Sequence, residues 1–162
     1  MSPELFDTHA HLHFPDFQED FEAMMGRARE AGVRRMVTIG TDVETSQAAL
    51  AIAERDPDVW ATVGLHPHDA EAGDDALFDE LARLARSPRV VALGEMGLDF
   101  VRNLSPRPVQ ETAFRRQLAL ARELGKPVAL HCRDAHAETL AILAEERVSE
   151  VGGIMHLSLI HI

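Results

Sequence analysis

Apolar and polar positions fall into blocks along this chain. Leu5-Phe6 opens a short apolar segment that runs into Asp7-Thr8-His9-Ala10-His11-Leu12-His13, after which Asp16 begins a pattern with Phe17, Phe21, Met24, Met25 and Ala28 at helical spacing. The spacing predicts strand, loop and helix in that order. Gly32 ends the helix, and residues 35–41 form a β-branched run of strand length closed at Gly40. Residues 44–55 are rich in Ala and read as a helix stopped by Pro57, and residues 59–65 give a third strand. Leu77, Leu81 and Leu84 mark one stripe of a helix over 74–86, and residues 90–95 form a fourth strand. A polar, proline-bearing connection over 100–108 leads to a helix over 109–124 ended by Gly125. A fifth strand over 126–132, a helix over 135–147 and the start of a sixth strand over 153–156 complete the series.

Strands and helices thus alternate at a spacing of roughly 25–30 residues, and the strands are continuous apolar runs, the pattern of βαβ units in a parallel sheet covered on both faces. The coarse architecture is α/β, (βα)5β. Two parallel solutions fit it: an open doubly wound sheet, complete at this length, and a TIM (βα)8 barrel, which needs about 250 residues. The pattern alone does not choose between them. No Gly-x-Gly-x-x-Gly or Walker loop follows the first strand, which weighs against a dinucleotide-binding sheet.

Composition narrows the function classes. The 162 residues carry 16 Lys+Arg against 27 Asp+Glu, a formal net charge of −11, with 46% hydrophobic and 27% charged residues. This is a globular composition, and no apolar run of about 18 residues suits a membrane span. The N-terminal residues Met1-Ser2-Pro3-Glu4-Leu5-Phe6-Asp7 show neither the basic nor the apolar region of a secretory signal, so a cytoplasmic location is expected. The single cysteine, Cys132, forms no internal disulfide and reads as buried strand filler. The acidic balance argues against a broad electrostatic grip on nucleic acid or anionic lipid, which relies on clustered Lys and Arg. A compact metal site remains open as a local source of positive charge.

Nine histidines are the unusual part of the composition, and six of them fall at strand ends or in the loop just after. His9 and His11 follow the first strand, His66 and His68 the third, His131 the fifth and His156 the sixth, while Glu95 and Asp99 stand at the fourth. In a parallel α/β fold all of these ends lie on one face, and that face carries the active site. On a strand, His9 and His11 project to the same side, so both imidazoles can reach one ion. Such a pair alone reads equally well as a polar loop; Asp7, Glu95, His131 and His156 at matching positions favour ligation. The nitrogen and oxygen donors suit Zn²⁺, Mn²⁺ or Mg²⁺. Glu95 is placed to be shared by two ions. Arg133 and His66 are the candidates for holding a substrate anion. His13 lies where the chain leaves the strand and reads as a surface residue, and His136 and His161 carry no signal.

These residues resemble the TatD-type metal-dependent hydrolases, within the amidohydrolase-like (βα)8 barrels. The resemblance rests on five collinear motifs: Asp7-Thr8-His9-Ala10-His11-Leu12, Gly64-Leu65-His66-Pro67-His68, Gly94-Glu95-Met96-Gly97-Leu98-Asp99-Phe100, Pro127-Val128-Ala129-Leu130-His131-Cys132-Arg133-Asp134-Ala135 and Gly153-Ile154-Met155-His156. It implies two divalent metal ions (Mg, Mn or Zn), one on His9, His11 and Glu95 and the other on Glu95, His131 and His156, with His66 near the substrate phosphate. Phe100 stands where many members have Tyr. The family pattern continues beyond the His156 motif with two further βα units and a late Asp ligand, so residues 1–156 are expected to be the N-terminal part of one such barrel. Leu157-Ser158-Leu159-Ile160-His161-Ile162 looks like an in-frame read of a sequencing adaptor and is expected to be a non-native tail.

The resemblance implies a nuclease or phosphodiesterase, most commonly a 3′–5′ exonuclease on DNA, acting on DNA ends or a nucleotide-like substrate held in a pocket, with Glu95 as the catalytic carboxylate and no membrane contact. A metal-dependent acyl hydrolase, such as an aminoacyl-tRNA deacylase or amidohydrolase, is the second expectation, because the same ions polarise carbonyls. The third is a truncated chain that keeps ligands but lacks activity.

Overall fold

Each apolar run becomes a strand because it can bury both faces, one against helices and one toward a common interior. The computed structural model describes residues 4–156. Among these the order is β1 (Leu5–Ala10), α1 (Phe21–Glu30), β2 (Val33–Ile39), α2 (Val43–Arg55), β3 (Val59–Val63), α3 (Asp75–Ala85), β4 (Val90–Asp99), α4 (Arg107–Leu124), β5 (Val128–Arg133), α5 (His136–Glu145) and β6 (Gly153–His156). Neighbouring strands pair in parallel in the sequence order β1-β2-β3-β4-β5-β6. A doubly wound sheet reverses its strand order at a switch point; this sheet does not. Its outer strands β1 and β6 share no ladder, yet the His9 ring at the end of β1 stacks on the His156 ring at the end of β6, with centroids 3.7 Å apart and planes 9° from parallel. The sheet is therefore curled almost shut, an incomplete (βα)8 barrel of (βα)5β form.

Local chemistry sets the element ends. Asp42 and Thr45 form a reciprocal capping box at the start of α2, Asp74 accepts from Leu77 N–H at α3, and Gly125, in the left-handed region at φ 63°, closes α4. Two expectations change. The helix expected from Asp16 is a single 3-10 turn, Pro15–Phe17, followed by α1 from Phe21: Pro15 fixes the turn, and the first bond of α1 runs from Met24 N–H to Asp20 O. The fourth strand continues past residue 95 to Asp99, because Met96, Gly97, Leu98 and Asp99 pair with Leu130, His131, Cys132 and Arg133 of β5. The expected tail at 157–162, with His161, lies outside the described residues.

The main core sits between sheet and helices, where Met25, Leu81, Leu93, Met96, Leu98, Phe114 and Leu118 are almost wholly buried. Cys132 is fully buried there, as its strand position suggested. The inner face of the sheet is less filled. A cavity of about 470 Å³ opens along it, lined among others by Phe6, Val37, Trp60, Ala129 and Ile154, and Phe6 and Ile154 are more than half exposed. No helix among the described residues is long and apolar enough to cross a membrane.

One clamp ties the core to the upper face of the barrel. Gln117 of α4 is buried, its Oε1 accepts from Leu65 N–H (2.7 Å) and its Nε2 donates to Leu65 O (3.0 Å), fixing the residue just before His66. Gln117→Leu leaves both backbone groups without partners, and buried unsatisfied groups cost about 1–3 kcal/mol each. A loss of about 3 kcal/mol is expected, lowering the thermal midpoint by roughly 6–12 °C. An unchanged midpoint in calorimetry would show that the clamp carries no weight.

Candidate metal centre

The centre is built on the second half of β4. The β4–β5 register shifts between Leu93 and Met96, a bulge that re-aims the intervening Glu95, whose N–H donates to Gly40 O (2.8 Å) across the top of the barrel. Beyond the bulge, Glu95, Gly97 and Asp99 alternate onto the inner face, while Met96 and Leu98 enter the core. Gly97 is the register partner of His131, which is in turn the partner of His156 on β6. Gly97 lies at φ 143°, and a Cβ there would sit 2.0 Å from His131 O. The glycine thus lets the β5 backbone approach closely, and the His131 ring lies between Glu95 and Asp99.

The distances follow from that placement. His131 Nδ1 is 2.9 Å from Glu95 Oε1, and His131 Nε2 is 3.3 Å from Asp99 Oδ2. The other Glu95 oxygen, Oε2, is 3.4 Å from His9 Nε2. His66 Nε2 lies 3.2 Å from His131 Nδ1 and 4.0 Å from Glu95 Oε1, and His68 Nε2 is 2.7 Å from Asp99 Oδ2. Two compact groups of donors result: His9, Glu95 and His156, and His66, His68 and His131.

Electrostatics keep these groups in the forms that bind cations. Burial works to raise the Glu95 pKa, but its contacts with the His131, His9 and His66 imidazoles outweigh it and hold the carboxyl well below its usual range. Burial likewise opposes ionisation of Asp99; the N–H groups of Arg102 and Val101, with His68 and His131, bring it down to about 2. Burial, then the neighbouring His131, pushes His66 down to about 3. His11 and His156 are lowered by burial first and His9 second. These three rings are neutral at pH 7 and offer lone pairs.

The donor set fits a divalent cation. His131 lies between two carboxylates that are held ionised, an anionic pocket that favours positive charge. His9 Nε2, 3.4 Å from Glu95, and His11 Nδ1 are buried with no hydrogen-bond partner. Buried polar atoms without partners are costly, and a cation on the Glu95 side would give His9 Nε2 the partner it lacks. The two Glu95 oxygens face different imidazoles, as a carboxylate shared between two ions would.

The positions expected from sequence meet here unevenly. His9, Glu95, His131, His156 and His66 converge. His11 stands beside His9, with ring centroids 5.2 Å apart, but its ring stacks on Phe14 (4.7 Å) and lies outside both compact groups. The division of ligands implied by the family resemblance therefore differs from the division by distance, since His156 groups with His9 and Glu95. Arg133 ends β5 half-buried, and among the described residues its guanidinium makes no ion pair or hydrogen bond with the cluster. His13, expected at the surface, is half-buried with both ring nitrogens enclosed, beside the rings of His11 and Phe14. Sequence reasoning placed Asp99 and His68 at strand ends without giving either a role. The Glu95-x-Gly97-x-Asp99 alternation was the available signal for Asp99.

The family pattern of "TatD related DNase" matches residues 6–158. The chain belongs to this TatD family. Its relatives include the 3′-5′ ssDNA/RNA exonuclease TatD of Enterobacter lignolyticus, 43% identical over 152 residues, and that of Cronobacter sakazakii, 45% identical over 152 residues; each alignment covers 94% of this chain and 58% of the relative. The chain thus spans less than two thirds of the length of the curated TatD relatives it matches. Among solved structures, YjjV, a TatD homologue from Escherichia coli, superposes with a TM-score of 0.82 at 34% identity, covering 90% of this chain and 57% of that one. A TatD-family hydrolase from Entamoeba histolytica, at 22% identity and a TM-score of 0.87, shares the fold.

The tight approach of Gly97 to β5 in this TatD barrel gives a direct check. Gly97→Ala places a Cβ against His131 O and forces a backbone region that costs on the order of 1–3 kcal/mol for a non-glycine residue. Lower thermal stability together with loss of bound metal after desalting is expected. A variant with unchanged stability and metal content would show that the close approach is not needed.

Proposed function

We propose that this chain carries the metal-binding part of a two-metal hydrolase that cleaves phosphodiester bonds at the 3′ ends of single-stranded nucleic acid. The observation that carries the reading is Glu95: a buried carboxylate, held ionised, with its two oxygens directed at His131 and His9 from different strands. His9, His11 and Glu95 would hold one divalent ion, and Glu95, His131 and His156 the other, with His11 turning away from Phe14 to join. When bound, such ions lower the pKa of water to about 7 and offset charge on a phosphoryl oxygen.

The remaining work belongs to the chain's own groups. His66 Nδ1 accepts from His68 N–H (3.2 Å), so the single hydrogen of the neutral His66 ring sits on Nε2, inside the site. That N–H is a donor for a phosphate oxygen, which supports a substrate role for His66 over a ligand role. Arg133 at the rim offers a free planar fork for a second phosphate oxygen. The net charge of −11 favours a narrow contact with a chain end over a long basic groove. Names of the relatives support single-stranded DNA or RNA as substrate.

The test uses the 162-residue chain with Mg²⁺ or Mn²⁺ and a 5′-labelled single-stranded oligonucleotide. Stepwise shortening from the 3′ end is expected, abolished by a chelator and reduced at least about 100-fold in Glu95→Gln, since the metal contribution amounts to several kcal/mol. Cleavage of an aminoacyl ester without oligonucleotide cleavage would sink the nuclease reading in favour of acyl hydrolysis. Metal binding with neither cleavage would leave a chain that keeps ligands without activity.

A further inference from the structure

Asp99 is fully buried, and its two oxygens serve separate donors. Oδ1 accepts from the N–H groups of Val101 (3.0 Å) and Arg102 (2.9 Å), while Oδ2 faces His68 Nε2 (2.7 Å) and His131 Nε2 (3.3 Å). Its backbone is gripped as well. Asp99 N–H donates to Gln110 Oε1 (2.9 Å), and Gln110 Nε2 donates to Asp99 O (3.2 Å) and Ser105 O (2.7 Å). The carboxylate is thus fixed in place beside His131. Glu95 differs: among the described residues no backbone N–H donates to its carboxylate, and its neighbours are imidazoles.

Two of the groups around His131 demand the same tautomer. His66 presents its Nε2–H to His131 Nδ1, because its own Nδ1 is taken by His68 N–H, so His131 Nδ1 must be bare to accept it. Asp99 Oδ2 can only accept, so His131 Nε2 must carry the hydrogen. Only Glu95 asks for the reverse, and a cation between Glu95 and Nδ1 removes its objection. We propose that Asp99 is a positioning residue that takes the Nε2–H of His131 and so holds the ring with its bare Nδ1 toward Glu95, in the tautomer that ligates a divalent ion. The proposal rests on the metal-dependent reading above. Carboxylate partners of ligating histidines act in this way in general, fixing the ring and raising its basicity.

Asp99→Asn reverses the demand. Its amide oxygen stays with the N–H groups of Val101 and Arg102, which puts the NH₂ group where Oδ2 stood. His131 then has to offer a bare Nε2 and move its hydrogen to Nδ1, covering the ligand lone pair.

The experiment reads the tautomer and the metal separately. Long-range 1H–15N spectra of the metal-free, 15N-labelled chain are expected to show the hydrogen of the neutral His131 ring on Nε2, and in Asp99→Asn on Nδ1. The Zn²⁺ dissociation constant, measured by competition with a chromophoric chelator, is expected to rise roughly 10–100-fold in Asp99→Asn, and Asp99→Glu is expected to return the Nε2–H tautomer. A parent ring with its hydrogen on Nδ1 overturns the proposal, as does Asp99→Asn with unchanged tautomer and affinity. Should Asp99→Asn fail to fold, the parent spectrum alone decides. A parent chain with Nε2–H but no Zn²⁺ binding overturns the metal-dependent reading while the positioning of the ring stands.

Discussion

One imidazole between two carboxylates is the constraint on which the rest of this site depends. His131 has a single hydrogen to give in its neutral form, and Glu95 and Asp99 both stand within 3.3 Å of its nitrogens. A polar interior tolerates such an arrangement only when something positive completes it. Asp99 has fixed N–H donors and is satisfied where it stands; Glu95 is surrounded by imidazoles that need lone-pair acceptors of their own. The deficit of positive charge is therefore on the Glu95 side, where His9 Nε2 also lies buried without a hydrogen bond. The paired carboxylates and the orphaned His9 nitrogen both favour a cation on that side.

That arrangement requires the backbone beneath it. Side chains two residues apart on a strand share a face, so Glu95 and Asp99 point inward together, the register shift before Met96 lets Leu93 turn to the core, and glycine at 97 lets the β5 backbone of His131 come close. The register then carries the level sideways, from Gly97 to His131 to His156, until curling of the sheet brings β6 against His9 of β1. Residues from opposite edges of one sheet thus become stacked rings. The outer helices contribute less visibly: Gln117 and Gln110 of α4, both buried, hold the backbones of Leu65, one step below His66, and of Asp99.

Much of this was legible in the sequence, and the reasons differ residue by residue. The continuous apolar runs ending in His or Glu placed His9, Glu95, His131 and His156 on one face without any knowledge of pairing, since parallel strands present all their C-terminal ends together. The barrel itself was not legible from pattern, because an open and a closed parallel sheet bury the same runs; only strand order and the approach of β1 to β6 distinguish them. The extension of β4 beyond residue 95 to Asp99 was not legible, because it depends on pairing of Met96 to Asp99 with β5 past the register shift. His11 illustrates the limit of spacing arguments. Its two-residue offset from His9 predicts a shared ligand side, but β1 ends at Ala10, and past the strand end the aromatic face of Phe14 competes for the ring.

The acidic composition belongs to the same logic. A body with a net charge of −11 repels a polyanion at distance, and two of its carboxylates, Glu95 and Asp99, stay ionised in the site itself. Attraction for a phosphate has to be generated within a few ångströms, where screening and the bulk charge matter least. On the proposed reading, divalent ions held at Glu95 would supply it, and the His66 ring and the Arg133 guanidinium would add oriented donors around it. Attraction confined to so small a region would grip one phosphate at a time, which is the contact the proposed chain-end substrate offers and the interior of a long duplex does not.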